Sequence, residues 1–273
     1  MDKYIDLHLH TTASDGTSSP KEVVKKAADL GFSSIAITDH DTVSGLEEAL
    51  IAGDRHNIEV IPGIELNTDY KEFEIHILGY FIDYNSEILL DKLASLKKAR
   101  YNRIKKMIDK LAEIEIEISF AEVKEVAGDA PLGRAHLAEV ILEHGYESDW
   151  STVFDKYIGR QGPAYVERKK INPQEAIDLI KSIGGVPVVA HPGLINSDHV
   201  VEELISWGIK GLEVYHSEHD KEDIKRYKNI AEENGLLITS GSDCHGKKRK
   251  EGELIGKIKG DYDLLKELKR AAS

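Results

Sequence analysis

Six of the twelve histidines fall where short apolar runs end or pass, and three carboxylates keep them company. His8 and His10 close the run that starts at Tyr4, and His40 follows the run 33–38. His76 lies within 73–81, and His191 and His245 each come directly after an apolar stretch. Asp15 stands just beyond the first run, Glu65 at the end of the third, and Asp243 two residues before His245. Side chains at i and i+2 of an extended chain project to one side, so His8 with His10, and Asp243 with His245, can each reach a common ion. Imidazole and carboxylate without thiolate suit Zn, Mn or Fe, and they do not suit a structural zinc site built on cysteine. Nine donors exceed what one ion takes. Two or three divalent ions sharing a bridging carboxylate would use them all, and such clusters hold a hydroxide in line with a phosphoryl oxygen. A lone histidine at a strand end is more often a hydrogen-bonded loop residue than a ligand. That reading does not account for nine donors directed to one face.

Donors so far apart in sequence meet only if the strand ends gather, as they do at the C-terminal face of parallel βα folds. The pattern predicts strands at 4–8, 33–38, 59–67, 73–81, 186–190, 211–215 and 237–240, with helices between most of them. Ser19-Pro20-Lys21-Glu22 reads as a helix start, with a capping serine, a proline at the first helical position and an acidic residue in the first turn. The runs 59–67 and 73–81 are separated by a short polar connection and read as a hairpin-like pair. From 86 to about 114 Leu89, Leu93, Leu96, Ile104, Met107, Ile108 and Leu111 mark one face of a long amphipathic helix. Further helices at 120–127, 134–143 and 150–158 follow without a strand. The expected organisation is α/β, with 1–85 and 163–273 forming a barrel-like βα unit and 86–162 a small helical insertion domain.

The chain has 273 residues and a formal charge of −13, with 41% hydrophobic and 31% charged residues and no apolar run long enough to span a bilayer. That balance argues against a general nucleic-acid coat, whose binding rests on Lys and Arg, but not against a small phosphorylated substrate drawn to bound cations. Cys244 is the single cysteine, and the first residues lack the basic and apolar segments of a secretory leader. A cytoplasmic location is expected, with no membrane association and no obligate protein partner.

His8-Leu9-His10, Thr38-Asp39-His40-Asp41-Thr42, Gly63-Ile64-Glu65, His76, Ala190-His191-Pro192-Gly193 and Gly241-Ser242-Asp243-Cys244-His245 resemble the motifs of the PHP (polymerase and histidinol phosphatase) superfamily, along essentially the whole chain. The resemblance implies a distorted seven-stranded (β/α)7 barrel with a trinuclear metal site. Carried over motif by motif, His8, His10, Glu65 and Asp243 would hold a first ion. Glu65, His76 and His191 would hold a second, and Asp15, His40 and His245 a third. Asp15 stands where many members have histidine, which keeps a donor there and can alter metal preference.

The helical insertion resembles that of the nucleotide-phosphatase and 5′-to-3′ exoribonuclease members. There an Arg-x-His element contacts substrate phosphate, and Gly133-Arg134-Ala135-His136 stands in the matching place. Arg100 and Arg103 resemble the same group, although basic residues on an amphipathic helix are usually solvated. His216 is expected to touch substrate or support a ligand, His219 to lie on the surface at a helix start, and Cys244 to pack away from the ions. Asp39 is expected to support its turn, and the basic run 247–250 to be a solvated loop beside the site. The expected activity is phosphoester hydrolysis by a metal-bound hydroxide on a nucleotide such as a 3′,5′-bisphosphate, or at the 5′ end of a short RNA. A histidinol-phosphate or sugar-phosphate phosphatase is the rival enzyme, and a non-catalytic metal-binding module is the rival from another class.

Overall fold

The computed structural model describes residues 3–128, 131–167, 171–246 and 254–272. The chain divides into two compact units, Met1–Leu90 with Lys170–Ser273, and Asp91–Lys169.

In the first unit β1 (Tyr4–Leu9), α1 (Pro20–Asp29), β2 (Phe32–Ile37), α2 (Leu46–His56), β3 (Glu59–Tyr70) and β4 (Phe73–Tyr80) come before the insertion. Pro20 occupies the first turn of α1 and the Ser19 N–H donates to Glu22 at 2.8 Å, so the start signal acts as its chemistry dictates. Within the second unit lie most of α3 (Glu87–Ala112), then α4 (Phe120–Ala127), α5 (Arg134–Glu143), α6 (Trp150–Val153) and a π-helical turn, Phe154–Ile158. The chain returns through α7 (Pro173–Ser182), β5 (Val186–Val189), α8 (Pro192–Ile195), α9 (Asp198–Ser206) and β6 (Gly211–His216). It closes with α10 (Lys221–Glu233), β7 (Leu237–Gly241), β8 (Gly260–Asp261) and α11 (Tyr262–Ala271).

The strands form one nearly closed sheet in the order β7-β6-β5-β4-β3-β2-β1-β8. The two-residue β8 pairs antiparallel with β1 and adds to the seven strands expected. Just past β7, Cys244 bridges to Leu9 at the end of β1, and the His10 N–H donates to the Cys244 carbonyl at 3.1 Å. Apart from the β8–β1 pair, neighbouring strands are parallel except around β4, which is antiparallel to both β3 and β5. A short turn leaves no length for a crossover, so the chain after β3 must run back. The reversal explains how His76 joins the others: it pairs with Asn67 near the C-terminal end of β3, so the first half of β4 lies at the face where the other strands finish.

Ile5, Leu7, Ala36, Ile61, Leu78, Tyr80, Val186, Val188 and Ala190 pack into one core with Leu265 and Leu268 of α11. The fully buried Tyr80 donates its hydroxyl to the Leu7 carbonyl at 3.0 Å, tying β4 to β1. Tyr80→Phe is expected to destabilise this unit by about 1 kcal/mol, read as a fall in thermal midpoint of roughly 2–4 °C. An unchanged midpoint would mean that the bond contributes nothing net.

In the second unit Ile104, Met107 and Leu111 of α3 present one face to Leu137, Ala138 and Ile141 of α5. Ser119 caps α4 by accepting from the Glu122 N–H at 3.2 Å, and Asp149 caps α6 by accepting from the Thr152 N–H at 2.9 Å. The helix expected over 150–158 changes character halfway, with the Gly159 N–H donating five residues back to Phe154 at 2.7 Å. Among the described residues, no helix is long and apolar enough to cross a membrane.

Candidate metal centre

All nine donors converge at the face where β1, β2, β3, β5 and β7 end. Backbone pairing continues past the named strands and sets this up. His40 bridges to Glu65 as an isolated parallel pair, the Asp41 N–H donates to the Glu65 carbonyl at 2.9 Å, and the Ala190 N–H donates to the His76 carbonyl at 3.1 Å. Asp39 turns away from the donors and accepts from the Thr11 N–H and hydroxyl, both at 2.7 Å, which pins the loop that carries Asp15.

Glu65 sits at the centre, fully buried, and its two oxygens face different partners. Oε2 lies 3.3 Å from His8 Nε2, 3.2 Å from His10 Nε2 and 2.9 Å from His40 Nδ1. Oε1 lies 2.8 Å from His76 Nδ1 and 3.3 Å from His191 Nε2. Asp243 Oδ1 completes the first set at 2.9 Å from His10 Nε2 and 3.4 Å from His8 Nε2. The two Nε2 atoms of His8 and His10 are themselves 3.1 Å apart, an approach that suits two lone pairs directed at one cation. His8, His10, Glu65 and Asp243 offer ligand atoms mutually within 4.8 Å, as do His40, Glu65 and His76, and also His10, Asp15, His40 and His245.

The second pair does not repeat the geometry of His8 and His10. Asp243 has φ +53°, beyond the end of β7, so Asp243 and His245 are not neighbours on one extended face. Asp243 turns to His8 and His10, while His245 Nε2 lies 3.2 Å from Asp15 Oδ1. The backbone turn replaces the extended i, i+2 arrangement expected for this pair, although Asp243 Oδ1 still lies 3.5 Å from His245 Nδ1.

The electrostatics of these residues suit divalent cations. Burial opposes charge on His10, yet Asp243 and Glu65 outweigh it and lift the imidazole to about 10. His76 is raised to about 9, its burial outweighed by Glu65. Burial favours neutral Glu65, but His40, His76 and His8 hold its carboxyl well below the ordinary value. The carboxylates thus demand positive charge where the histidines carry lone pairs, and divalent ions meet both needs. Buried His10 Nδ1, His76 Nε2, His191 Nδ1, Glu65 Oε2 and Asp243 Oδ1 have no hydrogen-bond partner, whereas buried polar atoms ordinarily do. Oxygen and nitrogen donors without thiolate, several of them unpartnered, fit a cluster of Zn, Mn or Fe.

The other predicted positions have differing surroundings. His216 is buried, and its Nε2 lies 3.8 Å from Asp243 Oδ2. Strict alternation along β6 would put Tyr215, not His216, beside Glu213. A register slip between Glu213 and Tyr215 re-aims the strand, so His216 groups with Glu213 and His8. His219 is not on the surface as expected: it is buried, its ring hydrogen-bonds the Val214 carbonyl at 2.9 Å, and Nε2 accepts from the Gly193 N–H at 3.0 Å. Arg100, Arg103, Arg134 and His136 belong to the helical unit. There Arg103 Nε donates to the Val166 carbonyl at 2.7 Å, and the Arg134 guanidinium lies over the rings of Phe154 and Tyr165. His136 Nδ1 accepts from the Gly133 N–H at 3.2 Å, and Arg100 is half-buried on α3. Cys244 is buried and free. The run 247–250 lies outside the described residues.

Two buried acids escaped the sequence reading. Glu213 contacts His8 Nδ1 at 3.0 Å, and Asp6 accepts from the Ser242 N–H at 2.9 Å and the Ser242 hydroxyl at 2.6 Å. The available signal was an acid in the middle of an apolar strand, in Gly211-Leu212-Glu213-Val214 and in Tyr4-Ile5-Asp6-Leu7.

Comparison with known proteins gives concordant findings. The PHP domain model matches residues 6–167. A 5′-3′ exoribonuclease of Haemophilus influenzae is 34% identical over 90% of this chain and 91% of its own length. A 3′,5′-nucleoside bisphosphate phosphatase of Chromobacterium violaceum is 32% identical over 88% of this chain and 87% of its own. A solved structure from Bifidobacterium adolescentis, named among the metal-dependent phosphoesterases, superposes with a TM-score of 0.84 at 30% identity, over 98% of this chain and 96% of that one.

Proposed function

The chain belongs to the PHP domain family and is a metal-dependent phosphoester hydrolase, and from that premise we propose that its substrates are nucleotides. A nucleoside 3′,5′-bisphosphate, or the 5′ end of a short RNA, is the chemistry that the relatives' names and the arginines of the helical unit support. The observation that carries the metal reading is the division of labour at Glu65, with one oxygen toward His8 and His10 and the other toward His76 and His191. A carboxylate so placed suits a bridge between two ions.

His8, His10, Glu65 and Asp243 would hold one ion, Glu65, His76 and His191 a second, and Asp15, His40 and His245 a third. When bound, such ions lower the pKa of a water and neutralise the phosphoryl oxygens. The protein's part is to fix the donors before substrate arrives. Backbone bonds of β3 with the 39–41 segment hold Glu65, and the turn at Asp243 sets its carboxylate against His10. Asp15 and His245 are held together across two loops, with the Thr17 N–H donating to the His245 carbonyl at 2.8 Å. His216, buried beside Asp243, is proposed to touch substrate or to support that carboxylate. The cytoplasm is the proposed compartment, in keeping with a lone buried thiol.

Arg134 and His136, with Arg100 and Arg103, are proposed to bind substrate phosphate. Two aromatic rings and one long bond to the Ile158 carbonyl, 3.4 Å, hold the Arg134 guanidinium, a pre-organised fork of the kind that grips phosphate. Arg134→Ala is expected to lower kcat/KM for a nucleoside bisphosphate by roughly 10–100-fold, mostly through KM, with metal content unchanged. A loss confined to kcat, or none, would remove Arg134 from substrate binding.

The test of the substrate class is a panel run on metal-stripped protein reloaded with Mn, Zn or Fe. It contains nucleoside 3′,5′-bisphosphates, a 5′-phosphorylated short RNA, histidinol phosphate and a sugar phosphate. The nucleotides are expected to turn over at least about tenfold faster than histidinol phosphate, a margin worth about 1.4 kcal/mol. Preference for histidinol or sugar phosphate would install the rival phosphatase. Metal uptake with no turnover of any ester would make the chain a binding module.

A further inference from the structure

Glu213 is a fully buried acid that the metal reading leaves unused. It stands in mid-strand between Leu212 and Val214, all three fully buried, a position in which an unpaired carboxylate would be severely destabilising. Among the described residues two others hydrogen-bond to its carboxylate. His8 Nδ1 lies 3.0 Å from Oε1 and 3.1 Å from Oε2, and the backbone N–H of His191 donates to Oε2 at 2.9 Å.

An ionised carboxylate only accepts, so each partner must present hydrogen. For His8 this places the proton on Nδ1 and leaves Nε2 bare, the atom that faces Glu65, Asp243 and His10. For His191 the anchor is the main chain, at a residue with φ +30° and ψ 59°, left-handed territory that L side chains rarely occupy without restraint. Pro192 follows directly, with its own φ fixed. In that conformation His191 Nε2 comes within 3.3 Å of Glu65 Oε1. One carboxylate on β6 therefore holds His8 by its ring and His191 by its main chain, two residues that face opposite oxygens of Glu65.

We propose that Glu213 is a positioning residue that presets both halves of the metal centre, fixing the tautomer of His8 and the left-handed turn of His191. The proposal rests on the reading of His8 and His191 as ligands. It assigns Glu213 itself no place among them, because both its oxygens are engaged by protein hydrogens.

Glutamine in its place discriminates well, since an amide offers one acceptor and one donor group where two donors must be met. Glu213→Gln is expected to weaken Mn or Zn uptake by roughly 10–100-fold, measured as metal bound per chain against buffered free ion. Glu213→Asp keeps the acceptor-only chemistry on a shorter arm and is expected to recover part of that loss. Reduced thermal stability in Glu213→Gln with metal affinity unchanged would overturn the proposal, because a merely structural role predicts that pattern.

A second measurement needs no variant of Glu213. In 15N-histidine spectra of the zinc-loaded wild-type protein, with His8 assigned by its loss in His8→Gln, a proton on Nδ1 is expected. A proton on Nε2 would overturn the proposal whatever the variants do. Should the wild type take up no zinc, the ligand reading fails by itself, and the His8 tautomer, read in stripped protein titrated until that ring is neutral, still decides the role of Glu213.

Discussion

Replacing Glu65 with alanine is expected to reduce phosphoester hydrolysis by about 10³-fold or more, with metal content falling below one ion per chain. Among the described residues no other side chain contacts so many of the donors: His8, His10, His40, His76 and His191 all lie within 3.3 Å of one or other of its oxygens. Removing it takes away the carboxylate that faces both His76 and His191 and leaves His8 Nε2 and His10 Nε2 facing Asp243. The variant should still fold. The imidazoles can become neutral once the carboxylate that holds His76 near 9 is gone, and the backbone pairing of β3 with β2 and β4 does not depend on that side chain. Turnover within about tenfold of wild type in a folded Glu65→Ala protein would contradict the bridging role.

Gly241→Ala is the second substitution with a large expected effect, and it adds one methyl group without touching any donor. A Cβ at this residue would fall 2.2 Å from His8 Cβ, 2.4 Å from Glu213 Oε1 and 2.9 Å from the His8 backbone nitrogen. Nothing there can step aside cheaply. His8 is in β1, which is paired on both sides, and Glu213 is held between His8 and His191. The strands must separate or the His8 ring must tilt, and over-packing of this kind costs about 1–3 kcal/mol. Because the misfit falls on His8 and its anchor together, activity is expected to drop by roughly 10²-fold or more, a penalty consistent with Å-scale misplacement of a site. Thermal unfolding and metal content measured together check this. A variant with wild-type affinity for metal would show that β7 has more freedom than the close contacts allow.

The arrangement of helices and strands was largely legible because its signals are local. Each apolar run and each start signal, such as Ser19-Pro20-Lys21-Glu22, depends on neighbours in sequence, and the resulting βα alternation carries the strand ends to one face. The nine donors could be named for the same reason, eight being tied to the end of a run or the loop after it and His76 lying within one. What stayed hidden depends on partners distant in the chain. Glu213 reads as an oddity in an apolar strand until His8 and His191 are beside it, and His216 reaches the same place only through a register slip that no local pattern announces. The burial of His219 follows from the close approach of Gly193 on the preceding βα connection, so its own surroundings in sequence suggested a surface helix start. The π-helical turn at Phe154–Ile158 is likewise invisible to helical periodicity, which barely distinguishes it from the α-helix before it.

Hydrolysis is proposed to depend on more than one ion gathered around Glu65. The most direct test is a titration of metal-stripped protein with Mn, following ions bound per chain and turnover of a nucleoside 3′,5′-bisphosphate in the same samples. No turnover is expected in the stripped protein, and activity is expected to rise only as occupancy passes one ion per chain. Undiminished turnover in the stripped protein, or full activity at a single ion, would contradict it.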